Sequence, residues 1–136
     1  MTYLKKISAT LAFASLSGMA MAAANPLSVH ILDLQSGQPT AGVTVTLEQK
    51  RGTDWKQLSS AVTNAQGRIA AMYPAETPMQ AGDYRIVFQT GEHYARLKQE
   101  TFFPEIPVQF HVEKTDQHYH IPLLLSPFGF STYRGN

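Results

Sequence analysis

The chain is 136 residues long and carries eleven Lys and Arg against ten Asp and Glu, a formal net charge of +1. That length suits a leader and one domain with a single core, and the near balance of charge excludes the basic footprint that nucleic-acid binding needs. There is no cysteine, which excludes disulfides, thiol catalysis, iron–sulfur clusters and Cys-bound zinc and leaves stability to packing and assembly.

Met1-Thr2-Tyr3-Leu4-Lys5-Lys6 is a basic opening, residues 7–19 are apolar and small, and Ala20-Met21-Ala22 and Ala22-Ala23-Ala24 each offer a small-x-small cleavage point. The apolar run is shorter than the roughly 20 residues a membrane-spanning helix requires. Residues 1–24 are therefore expected to be a cleaved secretory signal, residues 25–136 the domain, and a bacterial periplasm the destination. Loss of Lys5 and Lys6 leaves nine basic residues against ten acidic ones, and no basic amphipathic segment promotes a membrane surface.

Leu27-Ser28-Val29-His30-Ile31-Leu32 alternates, with Leu27, Val29 and Ile31 on one face and Ser28, His30 and Leu32 on the other. A turn over 36–39 leads to a β-branched strand over 43–47, and Gly52 pivots the next turn, over 50–54, into a weaker strand over 55–62. Residues 63–67 make a tight connection into an expected strand over 68–72, which sets Arg68 away from the buried side. Two prolines within residues 74–80 read as loop, and strand pattern returns over 82–88. Residues 92–99 form the one helical stretch, with Tyr94, Leu97 and Lys98 at helical spacing; at two turns it needs packing to persist. Alternation resumes over 106–112, where Ile106, Val108, Phe110 and Val112 share a face, and Thr115-Asp116 turns the chain again.

The run 118–125 sorts into Tyr119, Ile121, Leu123 and Leu125 on a core face and His118, His120, Pro122 and Leu124 on the other. Ser126-Pro127-Phe128-Gly129 supplies turn chemistry before a short strand over 130–133. About eight short strands with turns between them, and one brief helix, are expected to make an all-β two-sheet sandwich, because two half-apolar sheets bury each other face to face.

His30, Arg68, His118 and His120 all fall opposite apolar faces, so strands sharing one sheet would gather them on its outer surface. His93 and His111 read as solvated surface residues. The His118-Tyr119-His120 pair with His30 could make a three-nitrogen zinc site able to activate water, yet such spacing is common by chance and no metal is assigned. No Gly-x-Ser-x-Gly elbow marks a nucleophile, and the acidic residues are scattered through turns. Histidine acid–base work on water remains, since imidazole titrates near neutral pH.

His118-Tyr119-His120-Ile121-Pro122-Leu123-Leu124-Leu125-Ser126, followed by Ser131-Thr132-Tyr133-Arg134-Gly135, resembles the transthyretin-related 5-hydroxyisourate hydrolases. The likeness extends through residues 27–33, Gly67-Arg68-Ile69, Gly82-Asp83-Tyr84-Arg85 and residues 102–107. A terminal Tyr-Arg-Gly-Ser is the family's tag, and this chain departs from it by ending in Asn136. The resemblance implies a transthyretin-like fold of two four-stranded sheets with the helix after the fifth strand. It also implies hydrolysis of 5-hydroxyisourate, a product of urate oxidation, to 2-oxo-4-hydroxy-4-carboxy-5-ureidoimidazoline, with no cofactor. His30 or His120 would then be the water-activating base, the other holding substrate or relaying the proton, with Arg68 as the oxygen-binding cation; His118, Tyr133, Arg134, Gly135 and Asn136 would wall and orient the substrate.

The faces that carry the histidines also carry Leu32, Pro122 and Leu124, a mixture typical of interfaces. The resemblance gives the form of assembly: a homotetramer paired through its outer sheets around a channel, with active sites between subunits. An alternative of another class is a non-catalytic binding module for a small aromatic ligand or a partner protein, against which the retained histidines and arginine weigh.

Overall fold

The computed structural model describes residues 24–136. The leader expected over residues 1–24 lies, apart from Ala24, outside the described residues. In chain order come β1 (Leu27–Asp33), β2 (Thr44–Arg51), β3 (Asp54–Val62), β4 (Arg68–Ile69), β5 (Gly82–Phe88), α1 (Thr90–Arg96), β6 (Ile106–Val112), β7 (Tyr119–Ser126) and β8 (Gly129–Thr132). The strands form two four-stranded sheets, in the orders β4-β1-β7-β8 and β3-β2-β5-β6. Both sheets are antiparallel except where β1 and β7 run parallel, from Leu27 opposite Tyr119 to Asp33 opposite Leu125. That parallel pair brings the two histidine-bearing strands side by side.

Alternation decides which face is inward. Leu27, Val29, Ile31, Tyr119, Ile121, Leu123 and Leu125 from one sheet meet Val45, Leu47, Tyr84, Ile86, Phe88, Ile106 and Val112 from the other, all buried. Each such aliphatic or Phe side chain contributes about 1.5–3 kcal/mol by leaving water. Tyr84 anchors the centre: its ring stacks on Phe110 at 5.8 Å and meets Tyr73 edge-on at 6.1 Å. Its hydroxyl donates to the Gln80 carbonyl at 2.6 Å, and burial, before any other influence, raises its pKa. The alternate residues of β1 and β7 are thereby forced onto the outer face.

Three elements differ from the sequence-based expectation by more than a single residue at either end. The strand expected over 68–72 stops at Ile69: the chain bends at Ala70, and Met72 turns inward to 1% exposure while its N–H donates to the Leu27 carbonyl at 2.9 Å. The helix starts at Thr90 rather than at residue 92, because its first turn is tied to the following loop. Thr90 Oγ1 donates to the Phe103 carbonyl at 3.2 Å and the Gly91 N–H to the Pro104 carbonyl at 2.9 Å. It ends at Arg96, since Lys98 takes a left-handed φ of 56°, so Tyr94 is buried but Leu97 stays 54% exposed. Finally, β2 runs to Arg51, through polar residues with no strand signature, because each has a partner on β3.

Candidate active site

The outer face of the β4-β1-β7-β8 sheet collects the polar residues. Arg68 on β4 is the register partner of His30 on β1; Ser28 is the partner of His120, and His30 of Pro122, across the β1–β7 pair. Neighbours in register lie about 5 Å apart, so His30 stands between Arg68 on one side and the diagonal His120 on the other. Leu32 and Leu124 continue the same face one pair further along.

Arg68 owes its position to the turn before it. The Asn64 side-chain oxygen accepts the N–H groups of Gln66 and Arg68, both at 3.0 Å, and Gly67 adopts a φ of +70°. A Cβ on Gly67 would stand 2.5 Å from the Ile31 carbonyl oxygen and 2.9 Å from the Thr40 nitrogen, both backbone atoms that cannot yield. Glycine is therefore required here both for its conformational freedom and for its lack of a side chain.

The C-terminal tail extends the sheet past β8. Leu123 opposite Thr132 and His120 opposite Gly135 belong to one continuous register, and the Gly135 N–H donates to the His120 carbonyl at 2.9 Å. Continuing it sets Tyr133, which is exposed, across from Pro122. Gly135 lies directly over the His120 ring: an added Cβ would overlap Cδ2 of His120 and sit 3.1 Å from Cγ of Pro122. Gly135→Ala is accordingly expected to displace the imidazole and lower kcat by about 10-fold or more, as misplacement of a catalytic group does; steady-state kinetics with normal thermal stability checks this. Asn136 ends the chain exposed beside it.

Arg134 goes elsewhere. Its guanidinium donates to Oε1 of Gln117 at 2.9 Å and covers the ring of Tyr119 at 4.9 Å. Because Tyr119 faces the core, Arg134 borders the open edge between the sheets, near Val108 and Phe110, rather than the outer face with His120. The structure thus brings His30, Arg68, His120 and Gly135 together, with Tyr133 and Asn136 adjacent, and turns the Arg134 side chain away.

His118 is held by protein on both ring nitrogens, with Nδ1 2.9 Å from the Asn25 carbonyl oxygen and Nε2 2.9 Å from Oγ of Ser28. The same Oγ lies 2.7 Å from Nδ1 of His120. The two imidazoles converge on a serine, and among the described residues no three His, Asp or Glu side chains are grouped to hold a metal. In the sequence the one signal of Ser28 is its place two residues before His30 on the same face. Of the remaining histidines, His111 is exposed and paired with Asp83 at 2.7 Å, and His93 packs edge-on against Tyr94 on the helix.

Burial and a shared cation favour the neutral imidazole at both central positions. The pKa of His30 is lowered first by desolvation and then by Arg68, with a hydrogen bond to the Gln66 backbone working against them. That of His120 is lowered by desolvation, then by Arg68, His30 and His118, and raised by a hydrogen bond to the Ser28 backbone. Near neutral pH the site therefore offers two unprotonated imidazoles and one permanent cation, the complement needed to deprotonate water beside a developing oxyanion.

Residues 27–135 match the sequence profile of the HIUase/Transthyretin family. The chain belongs to the HIUase/transthyretin family. Within it, the 5-hydroxyisourate hydrolase of Salmonella typhimurium is 56% identical over 119 residues, 87% of each chain, and that of Mesorhizobium japonicum is 37% identical over 114 residues, covering 81% of this chain and 91% of the other. Among solved members of the family, Klebsiella pneumoniae 5-hydroxyisourate hydrolase superposes with a TM-score of 0.70 at 41% identity, over 82% of this chain and 94% of that one. Sea bream transthyretin in complex with thyroxine gives 0.75 at 33% identity, over 81% and 94%. The same fold thus carries a hydrolase and a protein seen in complex with thyroxine, so the fold alone does not fix the activity and the side chains of the site have to.

Proposed function

We infer that the chain hydrolyses 5-hydroxyisourate, as its 56% identical Salmonella relative is named for doing, in urate degradation. The observation that carries this reading is the convergence of His30, Arg68 and His120 on one sheet face, with Gly135 packed over His120. A carrier of an apolar ligand has little use for two neutral imidazoles beside a guanidinium. One imidazole takes a proton from water as the water oxygen bonds to a ring carbonyl carbon. Arg68 faces the oxygen that becomes negative. The ring C–N bond then breaks, the departing nitrogen takes the proton from the imidazolium, and the product is 2-oxo-4-hydroxy-4-carboxy-5-ureidoimidazoline. Freshly generated 5-hydroxyisourate followed spectrophotometrically tests this: the protein should accelerate its loss well beyond spontaneous decay, and an unchanged decay would sink the reading.

We further propose that the protein is a homotetramer with sites completed between subunits, and that it is periplasmic. Leu32, Leu124 and the half-buried histidines share an open face that a second subunit would cover, and β6 and β8 are edge strands beside one cleft. Light scattering at micromolar concentration is expected to give the tetramer mass; a fully active monomer would exclude a shared site. The basic and then apolar leader supports export, and mass spectrometry of exported protein should find it starting between Ala23 and Asn25.

A further inference from the structure

On the rim of the outer face lies a chain of polar contacts that the hydrolysis above does not use: Asn25 carbonyl, His118, Ser28, His120. Donor and acceptor roles along it follow from one fixed point. A carbonyl oxygen can only accept, so Nδ1 of His118 carries a hydrogen. In a neutral ring Nε2 is then a bare lone pair, and the Ser28 hydroxyl donates to it. Having spent its one hydrogen, Ser28 Oγ accepts from Nδ1–H of His120. The remaining nitrogen, Nε2 of His120, is left unprotonated and has no protein partner among the described residues.

We propose that Ser28 and His118 are positioning residues for the hydrolysis, which fix His120 in the tautomer with a bare Nε2 as the general base and form a relay that shifts positive charge from His120 to His118. The proposal rests on the hydrolase reading. When Nε2 of His120 takes the proton from water, the Nδ1 proton passes to Ser28 Oγ as the Ser28 hydroxyl proton passes to Nε2 of His118. The charge then sits on His118, which is exposed, instead of on His120, which is half-buried and shares its surroundings with Arg68. Water solvates the first position and a cation opposes the second. His120 is left with hydrogen on Nε2, facing the substrate. When the C–N bond breaks, that hydrogen goes to the departing nitrogen, His118 returns its proton to Ser28 and Ser28 returns one to Nδ1 of His120. The proton from water ends on the product nitrogen, and the relay is restored.

The test combines a resonance measurement on the full chain with kinetics. Nitrogen-15 NMR of histidine-labelled protein at pH 7.5, without substrate, should show His120 protonated at Nδ1 and bare at Nε2; the opposite tautomer would overturn the proposal whatever the activity. Ser28→Ala should lower kcat on the order of 10-fold to 100-fold with KM little changed, the scale set by lost orienting partners of functional imidazoles, and Ser28→Thr, which keeps the hydroxyl, should restore most of it. His118→Gln can still accept from Ser28 through its amide oxygen but cannot take a proton. It should lose kcat to a similar extent and regain part of it with added imidazole; full kcat in this variant overturns the relay. A wild-type protein that leaves 5-hydroxyisourate decay unchanged would instead defeat the hydrolase reading, while the resonance result still decides the hydrogen-bond chain.

Discussion

Replacing His30 or His120 with alanine should lower kcat/KM for 5-hydroxyisourate by about 10²–10⁴-fold, the range for loss of a positioned acid–base group, while leaving the fold intact. Both side chains stand on the outer face, half-exposed, and neither belongs to the core formed by Leu27, Val29, Ile31 and their partners across the sandwich. Truncation therefore opens no core cavity, and circular dichroism and the melting temperature should stay near the wild-type values. The double variant should be little worse than the weaker single one, because groups that act as a unit do not contribute additively. His111→Ala serves as the control: that ring is exposed on β6, in the other sheet, paired with Asp83, and its loss should leave turnover unchanged. Near-normal rates in both His30 and His120 variants would remove histidine acid–base chemistry from the account.

The parts of this site that were legible in the sequence are those set by period two. Alternation in Leu27–Asp33 and Tyr119–Ser126 assigned the faces of His30 and His120 correctly, because a buried sheet face tolerates no slip of one residue. The limits of Gly82–Phe88 and Ile106–Val112 were equally readable, since clear turn or loop residues bound each run. Adjacency was not legible. The β1–β7 pair joins residues some ninety positions apart in parallel, and nothing local to either strand encodes that partner. Side chains whose direction depends on the tail were also hidden. Arg134 lies within two residues of the terminus, yet a cation–π contact with the inward-facing Tyr119 takes it to the sheet edge, away from His120. Ser28 was unreadable for a different reason: a serine between two imidazoles has chemical meaning only when both rings are in place.

Arg68→Ala should cost about 10²–10³-fold in kcat, the size of effect seen when a preorganised oxyanion partner is removed, and it should also change the pH profile in a defined direction. The guanidinium is the second cause, after desolvation, of the lowered pKa of both His30 and His120. A base must be unprotonated to work, so the wild-type acidic limb should fall below the ordinary histidine value of about 6.5. Without the neighbouring cation the imidazolium forms more easily, both pKa values rise, and the limb of kcat/KM should move to higher pH. It should stop short of a full return because burial, the larger cause, remains. The same linkage acts on stability. A histidine whose folded pKa lies below its unfolded value favours the folded state fully above about pH 6.5, and that contribution is lost as pH falls through 6.5 toward the folded value. The acid-side loss of stability should therefore be smaller in Arg68→Ala than in the wild type. Arg68→Lys separates charge from shape: a lysine keeps the cation but not the planar fork, so it should leave the acidic limb near its wild-type position while recovering only part of the rate. An Arg68→Ala enzyme with the wild-type limb would mean that the guanidinium does not act electrostatically on either histidine, and its role would reduce to holding the substrate.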